Sequence, residues 1–421
     1  MIDANNPALE SWVEVPENSD FPIQNLPFGI FRTPTNPAPR MCTRIGDFVV
    51  DLAVMNYLSL FEDLEIDNDV FTASYLNDFI QLGKTKTRAL RNRLSNLLQK
   101  GNEEISNLSW HFLHPIDKVE MLLPIKVGDY TDFYSSIEHA TNVGCLFRDP
   151  ENALLPNWKH LPVGYHGRAS SIVASGTPIT RPNGQTRPNS EEPPVFGPSK
   201  LLDFELEMAF IVGRETKLGQ SVSTTEAEDY IFGMLLFNDW SARDIQSWEY
   251  VPLGPFLGKS FASTVSPWIV TLDALDPFRV EGPVQDPAVL PYLQYEGKHN
   301  FDIALEVEIK PEKGAGKVVS QSNFKFLYWN ICQQLAHHTS NGCNLNVGDL
   351  CASGTISGKD VNSYGSMLEI TWRGTKPVQM PDGSLRKFLH DGDTVIMRGH
   401  CAKNGVRIGF GEAVGTILAA H

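Results

Sequence analysis

The sequence predicts a mainly β fold with some α-helix, arranged as a small N-terminal unit and a larger C-terminal unit. From about residue 125 onward, short apolar runs alternate with clusters of Gly, Pro and polar residues. This pattern is typical of strands in a mainly β or mixed domain, and not of a doubly wound α/β sheet. A chain of 421 residues is long enough for two or three domains of roughly 150 residues each.

The N-terminal unit is predicted to hold short strands followed by a helix. Residues 27–60 contain apolar runs broken by the stretch TPTNPAPR, which indicates a small β-rich unit. The helix is predicted over residues 84–105 from apolar side chains three or four positions apart: Ala89, Leu90, Leu94, Leu97 and Leu98. Residues 113–124 have prolines near both ends and no helical face, so we predict domains at 1–122 and 123–421.

The C-terminal unit is predicted to consist mostly of short strands joined by long, Gly-rich loops. Such loops commonly hold binding and catalytic side chains. The predicted strands lie within the runs SSIVASGTPIT, LLDFELEMAFIVG, SPWIVTLDAL, FDIALEVEIK, SMLEITWRG and DTVIMRGHC.

The composition argues against several kinds of partner and location. With 35 Lys and Arg against 50 Asp and Glu, the chain has a net charge of −15 at pH 7, so we expect no nucleic acid or membrane partner. The six cysteines are scattered without C-x-x-C or zinc-like spacing, and the N-terminus lacks the basic and apolar segments of a secretion signal. We therefore expect free thiols and a cytoplasmic location.

Several familiar motifs fail on inspection. The run LGPFLGKS is similar to a phosphate-binding loop, but its first Gly lies one residue too near and Pro255 fixes the backbone. The run GFGEAVG has the wrong glycine spacing for a dinucleotide site, and neither G-x-S-x-G nor H-E-x-x-H occurs. His337 and His338 follow an apolar run, and we interpret them as residues at the end of a helix.

A strand rich in carboxylates is the first candidate for chemistry. Alternation along LDFELEMAF places Asp203, Glu205 and Glu207 on one face, where two carboxylates could bind one hard cation. The alternative is an ordinary half-exposed strand, and Glu306 and Glu308 provide an internal comparison because they have the same spacing in DIALEVEIK. There the polar face continues to a lysine, as a solvated face would, whereas the face of Glu207 turns apolar.

A second candidate is the run NDWSARDIQSWEY, which we interpret as a short helix ended by Pro252. At 100° per residue, one stripe of that helix holds Asp239, Arg243, Gln246 and Tyr250. The stripe is either a functional polar face or a solvated surface with one Asp–Arg pair worth about 0.3–0.5 kcal/mol. Both interpretations stay open.

A third candidate is the run DYTDFYSSIEHATN. A helix that begins at the Thr-Asp pair would put Asp132 in its first turn, with His139 on the same face about 10 Å further along. The two side chains would be too far apart to share a cation, but they could flank a substrate. The alternative is a structural histidine, which is the commoner role of a lone His.

These segments resemble the fumarylacetoacetate hydrolase family from about residue 20 nearly to the C-terminus. The resemblance rests on the blocks DYTDFYSS..HATNVG, LPVGYHGRASS, ELEMAF, NDWSARDIQ.WEYVPLGPFLGKSF, NGCNL..GDL.ASGTISG and GSMLE.TW.GTKP. It implies a small N-terminal SH3-like barrel, a larger C-terminal β-roll domain that holds the site, and a homodimer. It also implies metal-dependent hydrolysis of the carbon–carbon bond of 4-fumarylacetoacetate, the last step of tyrosine and phenylalanine breakdown.

Two other functions stay open. A related acylpyruvate or β-diketone hydrolase would use the same metal site on a shorter substrate. A non-catalytic, metal-stabilised binding protein would keep the fold without the reaction.

The resemblance also implies roles for individual residues. It implies that Ca²⁺ or Mg²⁺ is bound by Asp132, Glu205, Glu207 and Asp239. An additional cation site is implied at Lys259 and Ser263, although the family usually has Thr at the position of Ser263.

The implied catalytic groups are a base and the cations around it. His139 would be the base and Glu369 its orienting partner. The groups around the developing oxyanion would be Arg243, Gln246 and Lys259. The substrate pocket would be lined by Tyr134, Arg148, Tyr165, Gln246, Tyr250 and Thr355.

Overall fold

An antiparallel sheet of five strands forms the N-terminal part of the computed structural model, which describes residues 3–421. In spatial order its strands are Leu113–Pro115, Phe48–Asp51, Arg40–Ile45, Phe28–Arg32 and Glu120–Leu122. Helices beside it span Leu52–Tyr57, Asn68–Phe71, Asn77–Gln81, Lys84–Leu98, Glu103–Ser106 and Ser109–Phe112.

The predicted helix over residues 84–105 is divided in two. The first helix ends at Leu98, because Gln99 is extended and Gly101 has a φ of +94°, a backbone conformation that favours glycine. The second helix begins after Asn102, whose side chain accepts a hydrogen bond from the amide of Ile105.

A mixed central sheet organises the C-terminal part. In spatial order its strands are Gly164–His166, Tyr130–Phe133, Leu350–Ala352, Leu206–Val212, Ile231–Asp239, Ser263–Val265 and Ile172–Ala174, and Val270–Thr271 also pairs with Ile231–Asp239. Neighbouring strands are antiparallel except at two places, where Leu350–Ala352 runs parallel to Tyr130–Phe133 and Ser263–Val265 runs parallel to Ile172–Ala174.

A second sheet of five strands completes the C-terminal part. In spatial order its strands are Lys317–Asn323, Ala304–Lys310, Thr394–Lys403, Val406–Leu418 and Ile179–Thr180. Four two-stranded ladders pair Asn183–Thr186 with Val195–Pro198, Leu202–Asp203 with Ser241–Ala242, Arg279–Val280 with Asn300–Phe301, and Val378–Gln379 with Leu385–Arg386. The α-helices of this part span Ile137–Phe147, Arg243–Glu249, Leu272–Leu275, Ile331–Thr339 and Met367–Ile370.

The central sheet is buried on both faces. Met208 and Phe210 point into the core of the C-terminal part, whereas Ala209 and Ile211 pack in a core shared with the N-terminal strands and helices. This double burial explains why every residue of Leu206–Val212 and Ile231–Asp239 is buried. The prediction of a mainly β fold with some α-helix is confirmed, and the domain boundary at 122/123 stays a prediction.

No helix within residues 3–421 combines the length and the apolar character needed to cross a membrane. His337 and His338 lie in the last turn of the helix Ile331–Thr339, as predicted.

Replacing Gly144 by Ala should destabilise the fold. Gly144 lies on the helix Ile137–Phe147, and an added Cβ would lie 2.1 Å from the carbonyl oxygen of Ala153. We expect the free energy of unfolding to fall by about 1–3 kcal/mol, the usual range for overpacking. Gly197→Ala is the control, because a Cβ there meets no atom of the described residues within 4 Å. Urea unfolding of both variants measures the difference, and equal stabilities would contradict this account.

Candidate metal centre and catalytic pair

Four carboxylates meet at the central sheet. Asp132 pairs in register with Ala352, Glu207 pairs with Phe237, and Asp239 ends the strand that contains Phe237. One oxygen from each carboxylate lies within 4.8 Å of the others in the set Asp132, Glu205, Glu207 and Asp239. All four side chains are buried. The predicted metal ligands are therefore brought together from separate strands.

The helix predicted to begin at Asp132 begins further along the chain. Asp132 lies on the strand Tyr130–Phe133, which pairs with a strand on each side. The helix spans Ile137–Phe147, and the hydroxyl of Ser136 caps it by accepting from the amide of His139 at 3.2 Å. The local prediction was wrong because pairing with distant strands, and not the Thr-Asp preference for a helix start, fixes this backbone.

The single helix predicted across residues 238–250 was also wrong. Asp239 ends a strand, and the helix spans only Arg243–Glu249. Arg243 pairs with Asp203 and Glu205, and not with Asp239 as a helical i,i+4 spacing would require. The acid and the cation of the predicted stripe nevertheless reach the same carboxylate cluster, from different elements. A functional role of the stripe stays a prediction.

The cluster contains more hydrogen-bond acceptors than donors. The hydroxyl of Tyr130 lies 3.1 Å from Asp132 Oδ2, and that of Tyr165 lies 2.9 Å from the same oxygen and 2.7 Å from Asp239 Oδ2. One hydroxyl has a single hydrogen, so Tyr165 can donate to only one of these carboxylates at a time. Asp132 Oδ1 and Glu207 Oε1 are buried without a hydrogen-bond partner among the described residues.

Crowding of like charges changes the pKa values of these carboxyl groups. Burial, reinforced by neighbouring carboxylates, raises the pKa of Asp132 and that of Glu207 well above their usual range. Burial acts in the same direction on Glu205, but the positive charges of Arg243 and Lys259 outweigh it and hold the pKa of Glu205 low. In the metal-free fold, Asp132 and Glu207 therefore favour the protonated form, whereas Glu205 stays ionised.

The donor set fits a hard divalent cation. Ca²⁺ and Mg²⁺ prefer oxygen ligands, whereas zinc and softer metals favour nitrogen and sulfur. A cation would satisfy Asp132 Oδ1 and Glu207 Oε1 without displacing a hydrogen bond. Unpartnered buried acceptors are costly, so these two oxygens are the strongest structural sign of a metal centre.

Lys259 and Ser263 adjoin the cluster beside Asp239. The ammonium of Lys259 contacts Glu205 and lies 2.9 Å from Asp239 Oδ2, and the hydroxyl of Ser263 donates to Asp239 Oδ1 at 3.0 Å. Burial alone would lower the pKa of Lys259, but the charges of Asp239 and Glu205 raise it above its usual range. Lys259 therefore stays cationic inside the site.

His139 and Glu369 form a buried pair. Nδ1 of His139 lies 2.7 Å from Oε2 of Glu369, which leaves Nε2 as the ring nitrogen that can accept a proton. Glu369 also accepts from Asn142 at 2.9 Å, from Ser357 at 2.9 Å and from Ser366 at 2.8 Å. Burial alone would raise the pKa of Glu369, but the His139 charge and these donors lower it, so the carboxylate stays ionised.

Arg243, which contacts the carboxylate cluster through Glu205, has one donor that is unpartnered among the described residues. Its Nη1 lies 2.7 Å from Glu205 Oε1 and its Nε donates to Asp203 Oδ2 at 2.9 Å. Its Nη2 is buried and has no acceptor in the part of the chain that the structure describes. A buried guanidinium nitrogen with no partner is available to an anionic or developing negative oxygen of a ligand.

The other predicted pocket residues lie at different depths. Tyr134 packs edge-on against His139 with ring centroids 5.2 Å apart, and Thr355 is buried. The side-chain oxygen of Gln246 lies 3.5 Å from Nη1 of Arg243. Arg148 is exposed and its guanidinium donates to the carbonyl of Ala153, while Tyr250 is exposed beyond the helix Arg243–Glu249. Their contact with a substrate stays a prediction.

Sequence analysis missed the groups that orient the site. Tyr130 could have been found, because it lies two residues before Asp132 and a strand places such residues on one face. Asn142 follows His139 by three positions, a spacing that a helix places on one side. Ser366 could also have been found, because Ser366 and Glu369 have the S-x-x-E spacing of a helix capping box. Ser357 gave no local signal, because it lies 12 residues before Glu369 and outside that helix.

A second group of metal-binding residue types is less suitable. Glu228, His299 and Cys332 approach each other near the surface. However, the guanidinium of Arg279 already pairs with both oxygens of Glu228, at 2.6 and 2.9 Å. His299 is itself within 2.7 Å of Glu228, so this carboxylate has its charge balanced without a metal.

Comparison with known proteins identifies relatives over nearly the whole chain. Residues 130–417 match the family described as fumarylacetoacetate (FAA) hydrolase C-terminal, and residues 24–124 match fumarylacetoacetase N-terminal. The fumarylacetoacetases of Bos taurus and Dictyostelium discoideum are each 54% identical, over 97% and 98% of this chain and 99% and 98% of their own lengths. That of Homo sapiens is 53% identical over 97% of this chain and 99% of its own length.

The fold is shared with a solved structure. Fumarylacetoacetate hydrolase from Exiguobacterium antarcticum aligns with a TM-score of 0.54 at 18% identity, covering 94% of this chain and 99% of its own.

Binding of Ca²⁺ or Mg²⁺ should release protons and tighten as the pH rises. Asp132 and Glu207 have a raised pKa in the metal-free fold. Protonation of these two groups therefore stabilises the metal-free fold relative to the unfolded chain. This contribution is fully present below the ordinary carboxyl pKa and is lost as the pH rises through the raised pKa values of the folded state. A cation replaces the retained protons. Calorimetry in buffers of different ionisation enthalpy measures the release.

Two variants test the ligand assignment. Glu207→Gln should weaken binding by at least ~10-fold. Glu308→Gln is the matched control, because Glu308 belongs to the half-buried E-x-E strand and pairs with Arg398 at 2.8 Å. The same dissociation constant for Glu207→Gln and the unmodified protein would remove Glu207 from the ligand set.

Proposed function

Because the chain belongs to the fumarylacetoacetate hydrolase family, we propose that it hydrolyses the carbon–carbon bond of 4-fumarylacetoacetate, yielding fumarate and acetoacetate. Relatives named fumarylacetoacetase match it from end to end at about half identity. The enzyme then performs the last step of tyrosine and phenylalanine breakdown.

One observation of the site supports this chemistry most directly. A cluster of four buried carboxylates lies beside a buried His–Glu pair, and His139 is close enough to influence the pKa of Glu205. A hard cation held by these carboxylates would therefore lie beside the proposed general base. In hydrolysis of this carbon–carbon bond, the base would activate the attacking water and the cation would stabilise the departing carbon as an enolate.

Asp132, Glu205, Glu207 and Asp239 are proposed to hold Ca²⁺ or Mg²⁺. When bound, the cation would act as a Lewis acid toward the oxygens of the 1,3-diketone. An additional cation site is proposed beside Lys259 and Ser263, with the hydroxyl of Ser263, which lies 3.0 Å from Asp239 Oδ1, as one ligand. The ammonium of Lys259 is cationic and would not itself coordinate the metal.

His139 is proposed to remove a proton from water through Nε2, so that the water attacks the carbonyl next to the fumaryl group. Glu369 accepts a hydrogen bond from Nδ1–H of His139 and stabilises the imidazolium that forms. Because Asn142, Ser357 and Ser366 donate to Glu369, the carboxylate keeps its charge and the proton stays on the imidazole.

Arg243 and Lys259 are proposed to compensate the negative oxygen that develops during attack. Lys259 is buried, Arg243 is largely buried, and Nη2 of Arg243 has no acceptor among residues 3–421. Loss of one such donor typically costs ~10²–10³ in rate. The residues proposed to contact the rest of the substrate are Tyr134, Arg148, Tyr165, Gln246, Tyr250 and Thr355.

We also propose a homodimer in the cytoplasm. All six cysteines are free thiols, in keeping with a reducing compartment.

The hairpin of Asn183–Thr186 and Val195–Pro198 packs on the helix Arg243–Glu249, and Trp248 donates to Gln185 at 2.7 Å. Eight large apolar side chains on or next to these two elements in the sequence are exposed, and we propose that they form one apolar patch: Val195, Phe196, Trp248, Tyr250, Val251, Leu253, Phe256 and Leu257. A patch of this kind is typical of a protein interface, although sequence analysis found no sign of one.

The reaction is tested by following the ultraviolet absorbance of fumarylacetoacetate. We expect metal-dependent loss of the diketone absorbance, abolished by chelation and restored by Ca²⁺ or Mg²⁺, with equimolar fumarate and acetoacetate as products. Hydrolysis of acylpyruvates but not of fumarylacetoacetate would favour the related hydrolase. A folded protein that hydrolyses neither would favour a non-catalytic binding role.

His139→Ala tests the proposed base in the same assay. Turnover should fall by ~10²–10⁴, the usual contribution of general base catalysis. Binding of metal and fumarate, measured by calorimetry, should persist because His139 is outside the ligand set. Unchanged turnover would remove His139 from the base role.

The apolar patch predicts the surface on which two chains associate. Sedimentation should give about twice 46.9 kDa for the unmodified protein, and the double variant Phe196→Asp, Leu253→Asp should shift it toward a single chain. Leu218→Asp is the control, since Leu218 is 82% exposed but lies outside the patch. A mass near 46.9 kDa for the unmodified protein would overturn the dimer.

A further inference from the structure

We infer that Asp203 is a positioning residue, which holds Arg243 and the helix that contains Glu369 in a fixed arrangement. The inference rests on the proposed function, because it assigns Asp203 to the reaction that those two residues serve. Asp203 is fully buried on the ladder of Leu202–Asp203 with Ser241–Ala242. It lies two residues from Glu205 but is not among the four clustered carboxylates.

Both oxygens of Asp203 are used. Oδ1 accepts from the amide of Met367 at 2.7 Å, and Oδ2 accepts from the amide of Leu368 at 3.0 Å and from Nε of Arg243 at 2.9 Å. One carboxylate therefore joins a side chain of one helix to the backbone of another, more than 120 residues away in the sequence.

The contact with the backbone fixes Glu369. The helix Met367–Ile370 has only four residues, and the first amides of any helix lack partners within it. Asp203 accepts from two of them, and Ser366 caps the amide of Glu369 while donating to its carboxylate at 2.8 Å. Asp203 therefore holds the turn from which Glu369 reaches His139.

The contact with the guanidinium fixes the direction of the free donor. A guanidinium is a planar, rigid fork, so two fixed nitrogens determine the position of the third. Asp203 holds Nε and Glu205 holds Nη1 of Arg243. The remaining nitrogen, Nη2, is the one without an acceptor in the described residues. Loss of Asp203 would let this donor rotate away from the developing oxyanion.

A purely structural ion pair is the alternative, and the chain contains a matched example. Asp51 is also buried, accepts from Nε of Arg40 at 2.6 Å and accepts from the amide of Val54 at 3.1 Å, where it caps the helix Leu52–Tyr57. This pair belongs to the N-terminal sheet. Asp51→Asn therefore removes the same type of contact without touching the proposed active site.

The test compares Asp203→Asn with Asp51→Asn in the metal-loaded enzyme. We expect both to lower the thermal midpoint, but only Asp203→Asn to lower kcat, by ~10²-fold as for loss of an oxyanion donor, with KM little changed. In a Glu369→Gln background the Asp203→Asn effect on kcat should be smaller, because residues that act together are non-additive. Full additivity, or equal kcat losses for the two asparagine variants, would overturn the inference.

Two further measurements keep the inference testable when activity gives no answer. Amide hydrogen exchange without substrate should become faster at Met367, Leu368 and Glu369 in Asp203→Asn, and stay unchanged there in Asp51→Asn. Unchanged exchange in both would overturn the positioning role, whatever the activity.

If the unmodified protein hydrolyses no fumarylacetoacetate, the proposed function fails while exchange still decides the role of Asp203. Should Asp203→Asn not fold, Asp203→Glu keeps the charge but displaces it, and full kcat there would contradict the inference.

Discussion

Burial of four carboxylates in one place is the constraint on which the rest of this structure depends. Like charges within 4.8 Å of each other in a low-dielectric interior repel strongly. The fold compensates part of this charge with Lys259 and Arg243, both on the side of Glu205. Asp132 and Glu207 lack such a partner within residues 3–421 and keep one unpartnered oxygen each. A hard divalent cation bound among the four carboxylates would resolve that imbalance.

The elements around the centre follow from the same need for compensation. Glu205 has ionic contacts to both Arg243 and Lys259, so the loop and helix that carry these cations must pack over the sheet. Arg243 in turn requires Asp203, and Asp203 accepts from the helix that holds Glu369. Charge compensation therefore links the metal centre to the His139–Glu369 pair through a continuous chain of buried contacts.

The Glu205–Glu207 strand shows what local pattern can predict. Its polar face turns apolar at Ala209, and that face is buried against the N-terminal part, whereas Glu308 lies on a strand that alternates between buried and half-buried positions. The same type of reasoning failed at Asp132 and Asp239, which were assigned to helices but lie on strands. Short polar runs contain no periodicity long enough to distinguish the two, and pairing with distant strands decided them.

By itself, the sequence determined the mainly β class, the net charge of −15, the paired glutamates and, through resemblance, the family. The site residues that the resemblance implies stay predictions. Only the tertiary structure decided which groups meet: the hydroxyls of Tyr130 and Tyr165 on the carboxylates, the donors around Glu369, the double role of Asp203 and the exposed apolar patch. The physical reason is that a buried charge is stabilised by whichever donors surround it in space. Those donors come from strands, helices and loops up to 230 residues away, and most of these contacts have no local spacing that encodes them.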